Sequence, residues 1–599
     1  MNWLIEPLQD IEQYNKTLEY IRQGNNTAKL NISGPSDSQK AHLSYAILSQ
    51  LGRKGLFITY NEIQARQFYE DFLFFFGEQV LLYPAKEILY YDVEAKSNDL
   101  IFQRISVLHR LLEGDYRLVV TSVDAISHKI FTKSFFEQSI LTFEPGQIVD
   151  LDGMIKKMVD MGYERGDVVE GKGQFSVRGG IIDIFSPDCE EPFRIELFDN
   201  EVDSIRKFDV ISQRSTDKVE KARILPAREI LLPESKRDLV AGKIGDDLDN
   251  YIKTLEINGN SKLVKTLREN IERDMERIKS DTHFPGIDRY IPYIMSEAGH
   301  LSDYLEKDTI IFFDEITKVK QRMDNVLTEH HEICKDLLEK GKIMPSNIGM
   351  FYSFEDLIIE LEKKDNVNFN SIVQGVSGEE NANLEALGQV VDINIPCRQI
   401  PPYRGVMDIF LGDLTRWKEK NYRVIILAGA RARGEKMRDG LASSNVEAVY
   451  MEGENVKALP GKIVITQGSL NSSFEYPSIG LVIISDREIF RSPGKIRRTR
   501  KKSKGLKINL FTDLNPGDYV VHQTHGIGQY VGIEKLTVDN ITKDYIKIKY
   551  QGGDYLYIPT SQLDSVQKYI GSKGKAPRLS KLGGSDWVKT KKKVKESLK

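Results

Sequence analysis

The sequence predicts a multidomain α/β protein, and three observations support that prediction. The chain has 599 residues, of which 40% are hydrophobic and 29% charged, enough apolar material for several packed cores. Strand-like apolar runs alternate with helix-like stretches over 27–126 and again over 385–490. Two regions of short strands, near 130–215 and over 512–570, follow these stretches and predict small β-rich units.

The first α/β stretch has the rhythm of a parallel sheet covered by helices. Strands are predicted at 30–33, 55–59, 79–83 and 117–122, and helices at 38–52, 61–77 and 100–114. The charged region 229–281 has a helical period, and the apolar run 308–315 predicts another buried strand.

A loop that begins at Gly34 stands between the first strand and its helix, where nucleotide-binding proteins carry G-x-x-x-x-G-K-[ST]. Gln39 replaces the second glycine, so a side chain stands where the backbone must curl around phosphates. Ala41 replaces the Ser or Thr that binds magnesium, and Lys40 is left as a lone charge. We expect this degenerate P-loop to hold no cofactor and the chain to have no catalytic residue.

Asp314 and Glu315 end the strand predicted at 308–315, where ATPases often place a magnesium ligand and a general base. Without a working phosphate loop, we interpret them as an acidic pair at a strand terminus. An active ATPase or helicase is kept as an alternative. His330, His331 and Cys334 lie close together on a charged helical stretch, which is more typical of a helix surface than of a metal site, so no metal is expected.

The strand Phe193–Phe198 separates two faces by its period of two. Its apolar residues point one way, whereas Arg194, Glu196 and Phe198 point the other way. Arg178 stands out from its neighbours in the same manner. Arginines and an exposed aromatic ring are typical of interface hot spots, which predicts a protein-binding face. The alternative is that Phe198 covers a sheet edge within its own domain.

The segments QFSVRGGIIDIFSP and PFRIELFDNEVDSIRKFD resemble the second domain of the bacterial transcription-repair coupling factors and the UvrA-binding domain of UvrB. The resemblance implies that Arg178, Arg194 and Phe198 contact UvrA. The segment Tyr90-Tyr91-Asp92 resembles the UvrB-like first domain. Only about eight residues separate Asp92 from the next predicted helix, too few for the long DNA-gripping hairpin of UvrB, so damage recognition is not expected.

The pattern V-V-H-x-x-H-G-I-G-x-Y at 520–530 resembles the RNA polymerase-interacting domain of the same family and the CarD-type regulators. It implies a small SH3/Tudor-like β-barrel, followed by a helix, that docks on the polymerase β subunit. Leu536 aligns with a leucine that matters for docking in the family, although barrel core is the alternative role for it. Tyr530, Ile533 and Lys535 are further predicted contacts, from their position alone. A hairpin turn is predicted at Gly552–Gly553.

The resemblance divides the chain into seven parts. We predict UvrB-like domain 1a at 1–128, UvrB-like domain 2 at 129–215, domain 1b at 216–375, α/β domain 3 at 376–490, a basic linker at 491–511, the polymerase-interacting barrel at 512–572 and the start of a helix at 573–599. The basic run 492–507 is interpreted as a solvated linker, with nucleic-acid binding as the alternative.

These resemblances predict an adaptor that recruits UvrA and holds stalled RNA polymerase for transcription-coupled nucleotide excision repair. Full-length family members add an ATP-dependent translocase motor that uses ATP and magnesium and binds double-stranded DNA, and we expect this chain to cover only about their first half. A CarD-like transcription regulator with structural N-terminal domains is the remaining alternative.

The widely spaced Cys189, Cys334 and Cys397 predict neither a disulfide framework nor a zinc finger. No apolar run approaches the roughly 20 residues of a membrane span, and the first residues lack the features of a signal peptide. A cytoplasmic protein without a membrane partner is therefore expected.

Overall fold

The computed structural model of the chain shows the predicted multidomain α/β architecture. It describes residues 2–24, 27–86, 98–257, 259–280, 286–295, 297–371, 390–453, 456–490, 517–522, 526–538, 541–551, 554–559, 566–568 and 579–580. The predicted motif at 90–92, the basic linker at 491–511 and the predicted terminal helix lie outside these residues.

A seven-stranded parallel sheet forms the centre of the first unit. Its strands, in order across the sheet, are Val391–Asn394, Lys29–Ser33, Asn366–Asn370, Ile310–Asp314, Gly55–Thr59, Leu118–Ser122 and Val80–Tyr83. The middle strands are buried along their whole length, as expected for a parallel sheet that is covered on both faces. This explains why they are continuous apolar runs in the sequence.

Helices cover the faces of this sheet, and the predicted ones begin and end within two residues of the prediction. The main helices of the first unit are Glu12–Gln23, Asp37–Leu51, Glu62–Phe76, Asp99–Leu112, Ile316–Glu339 and Phe354–Leu361. Apolar and aromatic side chains from the helix Glu62–Phe76 pack on the sheet; the rings of Phe57 and Phe68 lie 4.5 Å apart between centroids.

The small β-rich insert is a six-stranded sheet that is antiparallel except for one short edge pair. Its strands, in order, are Ser215–Lys218, Glu201–Phe208, Phe193–Phe198, Ile181–Ile184, Gln174–Arg178 and Glu164–Arg165. The helix Leu151–Asp160 packs Met154 and Met158 on the inner face of this sheet. The outer face therefore carries the polar residues of alternating strand positions.

The charged region after the insert forms a helical pair, Glu234–Ile257 and Ser261–Ser280, which shares a core with residues 287–295. Further along the chain, His330 is buried against Ile348, whose carbonyl oxygen lies 3.0 Å from its Nε2. Cys334 Sγ lies 3.6 Å from the same ring nitrogen, so these two residues serve packing. The described residues contain no group of three or more side chains able to hold a metal ion.

The second α/β unit contains a six-stranded sheet that is parallel except at one side, where Phe474–Tyr476 pairs antiparallel with both of its neighbours. Its strands, in order, are Arg398–Gln399, Phe474–Tyr476, Leu481–Ser485, Arg423–Ala428, Ile463–Gln467 and Val449–Tyr450. The helices Met407–Glu419 and Arg431–Ser443 cover it on one side. On the other side its apolar residues join the core of the first unit.

The predicted boundary at residue 375 does not coincide with the edge of the first sheet. The strand Val391–Asn394 belongs by sequence position to the second α/β unit, yet it pairs in parallel with Lys29–Ser33. An edge strand offers unpaired backbone groups, and a later segment of the chain satisfies them here. The two units are thus joined by a shared sheet edge as well as by a shared core.

The region after 516 contains a five-stranded antiparallel sheet. Its strands, in order, are Tyr555–Pro559, Ile541–Lys549, Gly526–Val538, Tyr519–His522 and Val566–Lys568. Ile546, Ile548 and Tyr550 are buried and Lys549 is exposed, as the period of two predicts. The strands on either side of Gly552–Gly553 pair antiparallel, while the turn itself lies outside the described residues. Closure of this sheet into a barrel stays a prediction.

None of the helices that the structure describes is long and apolar enough to cross a membrane.

Candidate functional sites

The degenerate phosphate loop is filled by the side chain of Gln39. This residue is fully buried, and its Oε1 accepts hydrogen bonds from the backbone N–H of Ser36, at 3.0 Å, and from its hydroxyl, at 2.8 Å. Its Nε2 donates to the backbone carbonyl of Glu475 in the second α/β unit, at 3.0 Å. Gln39 therefore caps its own helix and ties the loop to another part of the chain.

Lys40 is 1% exposed, and its ammonium group is surrounded by carboxylates. Its Nζ lies 2.6 Å from Asp314 Oδ1 and 2.9 Å from Glu315 Oε1. Burial alone would lower the pKa of Lys40, but the two carboxylates outweigh burial and hold it above its ordinary value. Burial raises the pKa of Asp314 to about 6, against the opposing effect of the lysine charge. The predicted acidic pair at the strand end is thus the counter-ion of the loop lysine.

The backbone of a later segment, at Ile395, lies close to the start of the loop. Gly34 has a φ of 103°, and a Cβ added there would lie 2.5 Å from the backbone oxygen of Ile395. Its N–H donates to the carbonyl of Asn370, at 3.1 Å. Glycine is required here because the backbone of the second unit approaches too closely for any side chain. Ala41 is fully buried in the core.

A buried carboxylate, Asp71, joins the first helices to the second α/β unit. Its Oδ2 accepts a hydrogen bond from Ser38 Oγ and its Oδ1 accepts one from the backbone N–H of Asn471, both at 2.7 Å. The backbone N–H of Ser472 donates to Ser38 Oγ, at 3.0 Å. Burial raises the pKa of Asp71 to about 7, against the opposing effect of these hydrogen bonds. The loop region is a polar joint inside a continuous apolar core.

The second site lies on the outer face of the insert, around the fully buried carboxylate of Asp183. Arg194 binds it with two hydrogen bonds, from Nε to Oδ1 at 2.8 Å and from Nη2 to Oδ2 at 2.9 Å. Arg178 donates from Nη2 to Oδ2 at 2.6 Å. One carboxylate therefore holds both predicted arginines, and the paired arrangement with Arg194 fixes the plane of its guanidinium.

The two arginines differ in how much they present to solvent. The side chain of Arg194 is 12% exposed; it also donates to the carbonyl of Gln213 and stacks on the ring of Phe208, 4.6 Å from the ring centroid. The side chain of Arg178 is 47% exposed and has Asp183 as its ion-pair partner among the described residues. Arg194 is thus part of the framework of the face, whereas Arg178 is exposed on it.

Phe198 is 80% exposed at the end of its strand. It pairs with Glu201 across a tight turn in which Asp199 has a φ of 57°. The turn fixes the ring on the same face as Arg194 and Glu196, as the strand period predicts. A ring that covered a sheet edge within the domain would be largely buried, so the exposure of Phe198 contradicts that alternative.

Sequence reasoning missed Asp183. The signal was available, because Asp183 is the lone acid in the otherwise apolar strand Ile181–Ile184. A buried acid in such a strand needs a partner. The strand register decides which arginine is the partner of Asp183. Here the register places Asp183 opposite Arg194, and the sequence did not predict that register.

The five-stranded sheet places the remaining predicted residues on one strand, Gly526–Val538. Tyr530 is buried in the small core with Val520 and Ile548, so its ring is not available to a partner; the prediction from position alone overlooked its inward direction. Ile533, Lys535 and Leu536 pair by backbone with 543–546. Their side chains lie outside the described part of the chain.

Two segments of the chain match models of known domain families. Residues 141–230 match the model of the UvrB interaction domain, and residues 514–570 match that of the CarD-like/TRCF RID domain. This multidomain α/β protein therefore combines segments similar to two different domain families.

The particular similarity is to transcription-repair-coupling factors, the family that the sequence motifs resemble. The chain is 34% identical over 570 residues to the transcription-repair-coupling factor of Bacillus subtilis (strain 168) and 33% identical over 579 residues to that of Staphylococcus aureus (strain MRSA252). Each match covers 95% of this chain and 47% of the relative, so the chain spans about half the length of these curated relatives.

Replacement of Lys40 by Met should destabilise the first unit in a pH-dependent way. The buried Asp314 would lose its counter-ion, which typically costs about 3–5 kcal/mol. A carboxyl whose folded pKa is raised contributes stability that is full below its unfolded pKa and is lost as pH rises through the folded pKa. Without Lys40 that folded pKa rises above its present value of about 6.

The gap in thermal unfolding midpoint between Lys40→Met and wild type should therefore widen from pH 5 to pH 8. Lys16→Met is the matched control, since the Lys16–Glu12 pair is largely exposed and such pairs contribute little. A constant difference in unfolding midpoint across this range would show that the pKa of Asp314 does not depend on Lys40.

Proposed function

We propose that this chain is an adaptor that binds UvrA through the outer face of the insert and RNA polymerase through the five-stranded sheet. The observation that carries the proposal is Phe198, 80% exposed on the same sheet face as Arg194, which Asp183 holds together with Arg178, in the region that matches the UvrB interaction domain. A single exposed apolar side chain is ordinary, so the proposal depends on the combination of this ring with arginines on one face, the residue types enriched at interface hot spots.

The geometry of the face suits a protein partner. Asp183 fixes the plane of the Arg194 guanidinium through two hydrogen bonds and restrains Arg178 through one. Both arginine side chains are therefore partly ordered before binding and lose little conformational freedom when a partner binds. Arginine and aromatic side chains provide most of the energy at interface centres. Arg178 and Phe198 are therefore the proposed direct contacts to UvrA, and Arg194 fixes the Asp183 carboxylate that orients Arg178.

The polymerase-binding part of the proposal rests on the match of 514–570 to the CarD-like/TRCF RID domain. The described core of this sheet is small, with Val520, Ile546 and Ile548 among its members, which suits a rigid display module. The strand Gly526–Val538 carries the proposed contacts Leu536, Ile533 and Lys535. The proposed target is the polymerase β subunit.

We also propose that the loop at Gly34 binds no nucleotide and that the chain has no catalytic site. Three features of the loop support this proposal: the Gln39 side chain bonds to the backbone at Glu475, the backbone of Ile395 lies close to Gly34, and carboxylates neutralise Lys40. A nucleotide would have to displace a buried ion pair as well as a packed joint. ATP, magnesium and double-stranded DNA are proposed to act on other parts of a longer protein.

Arg178→Ala and Phe198→Ala should each weaken binding of purified UvrA, without nucleotide, by roughly thirtyfold, equivalent to about 2 kcal/mol. Both side chains are exposed, so the fold should be kept. Isothermal titration calorimetry measures the effect. Arg268→Ala and Ile257→Ala are matched controls, because their side chains are similarly exposed on the separate helical pair.

Equal affinity of Arg178→Ala, Phe198→Ala and the two control variants for UvrA would refute the proposed face. Absence of wild-type binding would refute the UvrA adaptor role itself.

Leu536→Arg should weaken binding of the polymerase β subunit by roughly thirtyfold or more, since it places a charge in an apolar contact. UvrA binding should stay unchanged, because the two sites lie on separate units. Hydrogen exchange of the strand Ile541–Lys549 distinguishes docking from core packing. If polymerase binding is lost while the strand keeps its protection from hydrogen exchange, Leu536 is a docking contact. If that protection is lost as well, Leu536 belongs to the core.

The double variant Gln39→Gly/Ala41→Thr restores the nucleotide-binding motif but not the space for phosphates. Millimolar ATP and magnesium should leave the thermal unfolding midpoint of both wild type and variant unchanged. A ligand at 100 times its dissociation constant would stabilise the fold by about 2.7 kcal/mol, which is readily measured. A nucleotide-dependent increase in either midpoint would contradict the proposal.

A further inference from the structure

Ile148 has nearly the same exposure as Phe198, 79% against 80%, and lies on the same face. Phe198 pairs with Glu201 in the hairpin, and Ile148 forms an antiparallel bridge with the same Glu201 from the opposite side. Residues paired directly across antiparallel strands project from the same face of a sheet. Ile148, Glu201 and Phe198 therefore form one line across three neighbouring segments, which we name the hairpin row.

The backbone holds Ile148 in its outward position. Gly146 and Val149 donate to the carbonyl oxygens of Val202 and Asn200, at 2.8 and 2.7 Å, and Val202 donates back to the carbonyl of Gln147, at 2.9 Å. Val149 is buried in the core of the insert, so the alternation of strand positions directs its neighbour Ile148 to the outside. The exposure of Ile148 is thus built into the pairing.

Glu201 lies between the two apolar side chains and is exposed. Within the described part of the chain, no ion pair or side-chain hydrogen bond engages its carboxylate. The hairpin row therefore presents a fixed pattern of apolar, anionic and apolar groups. Since neighbouring strands lie about 4.8 Å apart, the two apolar side chains are about 10 Å apart.

We propose that the partner-binding face continues from Phe198 across Glu201 to Ile148. The partner surface that fits this row has two apolar depressions about 10 Å apart and an arginine or lysine between them, opposite Glu201. This inference rests on the proposed function, because it takes the partner to be UvrA. It extends the contact to a segment, 146–149, that precedes the helix Leu151–Asp160 and has none of the residues predicted from sequence.

Scattered exposed apolar residues are ordinary, so the exposure of Ile148 alone does not mark it as a contact. Its alignment with Phe198 and the backbone hydrogen bonds that hold it in place are the reasons to propose one. A large apolar side chain fixed beside another, with an unpaired charge between them, loses little conformational freedom when a partner covers it. Ile257 is more exposed, at 86%, but ends a helix on another unit and has no place in the row. It supplies the matched control.

The test is titration of purified UvrA into the full chain carrying Ile148→Ser, Glu201→Lys, Ile257→Ser or Arg178→Ala. We expect five- to thirtyfold weaker binding for Ile148→Ser and at least tenfold weaker binding for Glu201→Lys, with no change for Ile257→Ser. Glu201→Gln should fall between Glu201→Lys and wild type. Hydrogen exchange of the strand Glu201–Phe208 checks that the segment 146–149 stays paired in each variant.

A double-mutant cycle between Ile148→Ser and Phe198→Ala locates the effect, because contacts to one continuous partner surface lose less in combination than the sum of their separate losses. If Arg178→Ala abolishes binding while Ile148→Ser and Glu201→Lys both bind like wild type, the hairpin row is not a contact and the adaptor role stands. If wild type itself fails to bind UvrA, both proposals are overturned. If Ile148→Ser weakens binding only with loss of exchange protection, the residue is structural and the inference is wrong.

Discussion

A lysine buried to 1% exposure has to be neutralised by carboxylates, and Lys40 obtains them from Asp314 and Glu315 at the end of a central strand. This ion cluster links the loop after the first strand to the middle of the parallel sheet. In a nucleotide-binding protein the phosphates of the bound nucleotide neutralise the charge of this lysine. Here carboxylates of the chain itself neutralise it, and the second α/β unit packs against the loop.

This neutralisation has consequences for the rest of the molecule. With the loop charge neutralised internally, the second α/β unit packs directly on the loop through Gln39, Asp71 and the backbone at Ile395. The strand Val391–Asn394 completes the first sheet at its free edge, and apolar residues of both units form one core. The two units therefore share both a sheet and a core.

The insert uses the same physics in a different setting. Asp183 is also a buried carboxylate matched by cations, but its partners, Arg178 and Arg194, stand at the surface. One carboxylate serves both guanidinium groups. At the insert a buried acid thus orders two arginines at a surface, whereas at the degenerate phosphate loop buried acids neutralise a buried lysine.

How much of this could be predicted depends on the distance over which each feature is determined. Five of the seven strands of the first sheet, the faces of Phe193–Phe198 and the buried side of Ile541–Lys549 follow from local patterns and were predicted from them, whereas the strands Asn366–Asn370 and Val391–Asn394 were not. The partner of Asp183, the sheet pairing of Val391–Asn394 and the inward direction of Tyr530 depend on register and on contacts between distant segments. Local pattern contains no register, so these features could not be derived.

Ile148 shows the same limit at the candidate site. In the sequence it is one apolar residue in a polar loop, without the alternation that distinguished Phe198. Only the bridge to Glu201 aligns it with Phe198, and only the hydrogen bonds from Gly146 and Val149 to the neighbouring strand hold it there. A protein-binding face built on an antiparallel sheet extends across strands, perpendicular to the chain. Sequence reasoning along a single strand therefore finds the residues of that strand and misses those beside it.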